Sequence, residues 1–148
     1  MQLTEKKYDV VIVGGGPGGL AAAKGAREAG AKSVLVLERD DRLGGILPQC
    51  VHDGFGLVHY KKALTGPEYA RCARKEAEQA GAELKTGAMV TGLTKERVVT
   101  AVTREGLLTC RAGAVVLATG CRERTRGPLP FRGRGLRGSI PPGRRRIS

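Results

Sequence analysis

Aromatic residues are nearly absent: two Phe, three Tyr and no Trp in 148 residues. A chain so poor in aromatics lacks the platform on which unpaired bases stack, which argues against a dedicated single-strand nucleic-acid binder. Long apolar runs are missing too. The longest fall far short of the ~18 residues of a membrane-crossing helix, and residues 1–7 are polar, unlike a secretory leader. Those two absences predict a cytoplasmic protein. The four cysteines, Cys50, Cys72, Cys110 and Cys121, form neither C-x-x-C nor C-x-x-x-x-C, so no paired-thiol redox motif or cysteine metal knuckle is written here. The two histidines, His52 and His59, stand seven apart without a third ligand, and no metal site is expected. Acids are scarce, 14 against 26 Lys and Arg, for a net charge of +12. No internal repeat is visible.

What the chain has in abundance is glycine, 23 residues, and its arrangement is informative. An apolar run, Val10-Val-Ile-Val13, enters Gly14-x-Gly16-x-x-Gly19. An Ala-rich, helix-favouring segment follows and stops at Gly30. A second apolar run, Val34–Leu37, ends at Glu38, nineteen residues after Gly19. This is the fingerprint of a dinucleotide site. Gly14 permits a tight turn out of the strand, Gly16 lets the backbone approach a pyrophosphate, and Gly19 lets the helix pack on the strand. Pro17 and Gly18 complete the turn, and the helix N-terminus offers N–H groups to the phosphates. Glu38 is placed to accept ribose hydroxyls and to repel a 2′-phosphate, which disfavours NADP. A side chain at Gly16 is expected both to fill the pyrophosphate's space and to strain the turn.

With these residues the chain resembles the flavoprotein oxidoreductases with two dinucleotide-binding domains, relatives of the pyridine nucleotide-disulphide oxidoreductases. Four stretches carry the resemblance: Gly14–Gly19 with Glu38-Arg39; Arg42-Leu-Gly-Gly45; Ala82–Val90; and Val115-Val-Leu-Ala-Thr-Gly120. The resemblance implies an α/β, Rossmann-like FAD-binding domain, a parallel sheet with an antiparallel β-meander, here incomplete. It implies FAD at the N-terminal site, held by Gly14, Gly16, Pro17, Gly18, Gly19, Glu38, Arg39 and Gly45. Val90 would lie along the adenine, and Ala118, Thr119 and Gly120 near the pyrophosphate. Residues 45–57 and 64–70 further resemble the amine- and glycerol-phosphate-oxidising branch. The family's disulphide reductases place a redox pair shortly after Gly-Gly; here Cys50 stands alone, and a dithiol mechanism is not expected. Cys50 is either a lone redox thiol or an ordinary loop residue. His52 and His59 are either flavin- or substrate-facing or simply solvated. No catalytic residue is assigned.

The length suits about one domain, whereas a complete two-dinucleotide enzyme needs several hundred residues at ~150 per domain. A second Gly-x-Gly-x-x-Gly and the family's late Gly-Asp are missing from the sequence. The expectation is an N-terminal portion of such an enzyme, inactive alone, with NAD(P) bound by a second domain not encoded here. Residues 1–126 form the dinucleotide-binding unit, and residues 127–148 an Arg/Gly/Pro-rich tail expected to be disordered. Nine Arg against the single acid Glu123 give residues 122–148 a charge of +8. Such a tail attracts nucleic acid nonspecifically. The expected partners are a small-molecule substrate and other subunits of an oxidoreductase complex. The competing readings are a dinucleotide-binding module without turnover and an Arg-rich nucleic-acid-binding protein.

Periodicity and punctuation predict strands near 8–13 and 33–38 and a helix near 17–29, after a polar lead over 1–7. Thr65-x-x-Glu68 is a capping-box pattern opening a helix to about Ala80, with Tyr69, Cys72, Ala73, Ala77 and Ala80 on its apolar stripe. Residues 39–64 read as an irregular connection. A short strand over 83–86 precedes a meander of 89–93, 98–103 and 107–111. A separate apolar strand, 114–118, is expected to be covered on both faces.

Overall fold

The computed structural model describes residues 2–121. The expectations for the Arg-rich tail and the last residues of the proposed unit lie outside them.

The chain alternates strand and helix, then turns to strands alone. The order is β1 (Gln2–Val13), α1 (Pro17–Glu28), β2 (Val34–Leu37), a 3-10 turn (Leu47–Gln49), α2 (Gly66–Gln79), β3 (Glu83–Lys85), β4 (Met89–Leu93), β5 (Val98–Thr103) and β6 (Gly106–Leu117). The six strands form one mixed sheet, ordered β3-β2-β1-β6-β5-β4. Strands β3, β2, β1 and β6 run parallel, while β6, β5 and β4 pair antiparallel. This is the expected Rossmann-like sheet with a meander appended.

Two cores lie on opposite faces of β1 and β2, because alternate residues of a strand point to opposite faces. Ile12, Val34 and Val36 pack against Leu20 and Ala23 of α1 and Ala73 and Ala77 of α2. Val11, Leu35 and Leu37 face the other way and pack with Ala88, Val99, Ala101, Leu108 and Cys110. The antiparallel half therefore folds back over the parallel half. Strand β2 is buried along its whole length, which is why its sequence, Val-Leu-Val-Leu, shows no alternation.

Both helices begin and end as their sequences direct. Gly30 and Gly81 adopt φ of +97° and +87°, and their N–H groups and those of the following residues bond back into the last helical turn. The α2 capping box forms in full: Thr65 N donates to Glu68 Oε2 at 2.7 Å, and Glu68 N to Thr65 Oγ1 at 3.4 Å.

Three expectations fail. Residues 1–7 are no lead: β1 reaches back to Gln2 and pairs with β6 from Gln2–Gly106 onward. The two runs 107–111 and 114–118 are one strand, β6, whose first half pairs with both β5 and β1. Its apolar end is not covered on both faces, since Val116 is 36% and Leu117 65% exposed. Beyond Arg111, β6 has β1 as its partner strand on one side only among the described residues. On α2 the buried stripe is Gly66, Ala70, Ala73 and Ala77, while Tyr69, Cys72 and Ala80 are half-buried.

Candidate functional site

The end of β1, the start of α1 and the ends of β2 and β6 meet at one edge of the parallel sheet. Gly14 N donates to the Leu37 carbonyl at 2.9 Å, and Ala118 N to the Val13 carbonyl at 2.8 Å, so the glycine turn sits between β2 and β6. At Gly14 φ is +108°, and an added Cβ would overlap the Ala118 carbonyl oxygen. A Cβ at Gly19 would overlap the Gly14 carbonyl oxygen. These two glycines let the turn, α1 and the Ala118 backbone approach one another. Gly16 is different. Its φ of −73° and ψ of −179° are ordinary extended backbone, and an added Cβ meets only Gly45 Cα, at 3.8 Å. The expected turn strain at Gly16 is therefore absent; what glycine provides there is open space.

Gly45 lies directly across from Gly16, and a Cβ at Gly18 would meet nothing within 4 Å. Gly16, Gly18 and Gly45 thus form a groove without side chains at the N-terminus of α1. That terminus has no side-chain cap, no acid in its first turn and Pro17, which lacks an N–H, near its start. The N-terminus of α2 is closed by its own Thr65 and Glu68. Of the two helices, α1 alone presents unpaired first-turn N–H groups and the positive end of its dipole to the groove.

Glu38 is the one buried charged residue among those described, 7% exposed. Its Oε2 accepts the Gly15 N–H at 2.7 Å and its Oε1 the Asp40 N–H at 3.0 Å. Gly15, Leu43 and Gly44 were not singled out by spacing, yet they build this corner. A Cβ at Gly15 would overlap the Leu43 side chain and lie 3.0 Å from Glu38 Cβ. Gly44 N donates to the Gly15 carbonyl at 2.8 Å. Its φ is +113°, and its missing Cβ clears Ala70. The signal for them was the run Gly14-Gly-Gly16 and the pair Gly44-Gly45, each read as one motif rather than residue by residue.

The sequence matches the NAD(P)-binding Rossmann-like domain family over residues 12–79. It is 33% identical over 144 residues to a thioredoxin reductase of Aquifex aeolicus (strain VF5), covering 92% of this chain and 42% of that protein. The chain is related to the pyridine nucleotide-disulphide oxidoreductases. Among solved structures, a thioredoxin reductase from Gloeobacter violaceus superposes with TM-score 0.62 and 30% identity, covering 80% of this chain and 38% of that one. The L-proline dehydrogenase of P. horikoshii gives 0.64 and 25%, covering 84% and 25%. The chain spans less than half the length of the curated relatives it matches first.

In this relative of the disulphide oxidoreductases, the other named residues fall as follows. Ala118 is half-buried against the turn, and Thr119 and Gly120 continue from it, exposed. Arg39 is exposed and 3.8 Å from Asp40. Residues 82–90 are not one strand but β3, a break and the start of β4. Gly87 N and Ala88 N donate to the Asp40 and Glu38 carbonyls, while Val90 packs on the core under the meander. Cys50 is half-buried with its Sγ 3.6 Å from the Ile46 carbonyl. Cys110 is buried, and burial pushes its thiol pKa up.

His52 stacks on Phe55 with ring centroids 5.1 Å apart, and His59 Nε2 lies 3.8 Å from Glu76. His59 and Tyr60 therefore dock on α2, where Lys24 of α1 also reaches Glu76, at 3.1 Å. Burial works against the Glu76 charge, but Lys24 and the Tyr60 hydroxyl bond to it, and its pKa lies below the ordinary carboxylate value. Neither His59 nor His52 is bonded to the glycine turn. No metal-binding cluster and no membrane-length apolar helix occur among the described residues.

Proposed function

We propose that this chain holds the dinucleotide of an FAD-dependent oxidoreductase. The observation that carries this reading is the groove at the α1 N-terminus, where Gly16, Gly18 and Gly45 keep side chains away from unpaired first-turn N–H groups. A pyrophosphate matches such a place in charge and size. Pro17 sets the first helical turn, Gly14 and Gly19 hold it against Ala118, and Thr119-Gly120 extends the rim. Glu38 receives the ribose, with Arg39 and the Val90 backbone toward the adenine. The resemblance favours FAD over NAD at this site, and the acids Glu38, Asp40 and Asp41 disfavour a 2′-phosphate. NAD(P) then belongs to a second domain with no counterpart among these residues.

When bound, the flavin accepts a hydride from a reduced carbon or NAD(P)H and passes electrons onward. The residues of this chain bind and orient it; they supply no acid or base to the reaction. Turnover then requires the remainder of the cleft, which fits the 42% coverage of the relatives. The substrate is a small molecule, further subunits complete the complex, and nucleic acid binds only nonspecifically through the basic tail. A second reading, dinucleotide binding without turnover, is favoured by the same partial coverage.

Calorimetric titration with FAD, NAD and NADP tests the proposal. FAD is expected to bind most tightly and NADP most weakly. Failure of all three to bind overturns it. Bleaching of bound flavin by NAD(P)H separates the oxidoreductase from the binding module.

A further inference from the structure

Glu38 makes contacts that a ribose acceptor alone does not need. Its carboxylate is buried, and each oxygen already accepts one backbone N–H, from Gly15 on one side and Asp40 on the other. Gly15 lies in the turn itself, beside Gly16. Its carbonyl accepts the Gly44 N–H, so the same residue ties the turn to the segment that brings Gly45 across from Gly16. Leu43 covers the Gly15 side of this corner. A carboxylate is acceptor-only, which is what two converging N–H donors require. Each oxygen keeps a second lone pair, so a ribose hydroxyl remains compatible with both bonds.

We propose that Glu38 is a positioning residue for the glycine turn: through the Gly15 N–H it fixes the groove that receives the pyrophosphate, independently of any ribose contact. This rests on the dinucleotide reading above and deepens it. A glutamine at 38 is nearly isosteric but presents one oxygen and one NH₂. It can satisfy only one of the two N–H groups and meets the other donor to donor. A ribose-only role predicts a loss confined to ligands with ribose hydroxyls. A positioning role predicts a loss that persists without them.

A two-by-two cycle of protein and ligand separates these roles. ADP and 2′,3′-dideoxy-ADP are titrated into the parent and into Glu38→Gln, with circular dichroism to monitor folding. The expected result is that the variant binds both ligands more weakly, with dideoxy-ADP losing about fivefold or more, as an orphaned buried donor implies. A variant-to-parent ratio near one for dideoxy-ADP overturns the proposal while leaving the dinucleotide reading standing. Failure of the parent to bind ADP overturns the dinucleotide reading, and the proposal with it. Should Glu38→Gln not fold, amide exchange in the parent decides. The Gly15 and Asp40 N–H groups are expected to exchange slowly, and rapid exchange at Gly15 overturns the proposal.

Discussion

A methyl group added at Gly16 meets only Gly45 Cα, whereas one added at Gly14 or Gly19 runs into backbone carbonyls. The three glycines of the motif therefore respond differently to substitution. Gly16→Val should leave the fold within about 1 kcal/mol of the parent, the cost of a poorer N-cap residue, while filling the groove. Gly14→Ala combines positive φ with overlap at Ala118 and should destabilise by ~2 kcal/mol or more. Urea denaturation of both variants checks the contrast; equal stabilities would show that the turn does not rest on Gly14 as described. Spacing showed which glycines matter, but not that they matter for two reasons, because φ and close approach depend on a strand, β6, that arrives about a hundred residues later. The same holds for Glu38. Its position was legible, its burial and two backbone bonds were not.

The two helices are joined at both ends of their contact. Near their C-termini, Arg27 Nε donates to the Ala80 carbonyl at 2.8 Å and its Nη1 to the Ala31 carbonyl at 2.7 Å. One guanidinium thus satisfies carbonyls beyond α1 and at the end of α2. Arg27→Met keeps the stem and removes the donors, and should cost about 1–2 kcal/mol in a thermal or urea melt. No measurable change would mean water replaces the guanidinium. Along the helices, Glu76 receives Lys24 and Tyr60 and faces His59. A carboxylate held below its ordinary pKa stabilises the fold at neutral pH, and that contribution disappears as pH falls through its folded value. Between pH 7 and pH 3.5 the parent should therefore lose more stability than Glu76→Gln. Parallel losses would show that this ion pair contributes nothing. The capping box of α2 and the glycine stops of both helices were readable because they are local. The Arg27 and Glu76 links were not, since they join segments fifty residues apart.

At the scale of the whole molecule, the strand–turn–helix–strand unit was legible because β1 and β2 are apolar and β2 is buried along its length. The polar first half of β1 gave no such signal. Its outer residues pair with charges instead, Glu5 with Arg111 at 2.9 Å and Lys6 with Glu83 at 3.3 Å. Strand β6 read as two because Gly113 interrupts its pattern; there the glycine marks a close crossing, where a Cβ would lie 2.8 Å from the Asp9 carbonyl oxygen. The sheet, its helices and the folded-back meander bring Gly14–Gly19, Glu38, Gly45 and Ala118 together, and that convergence is the basis of the functional proposal. The most direct test is a flavin titration of the parent chain and of Gly16→Val under identical conditions. FAD is expected to bind the parent and to be displaced by ADP, while Gly16→Val, with an unchanged circular dichroism spectrum, retains none. Equal FAD affinity in the two proteins would contradict the placement of the pyrophosphate in this groove.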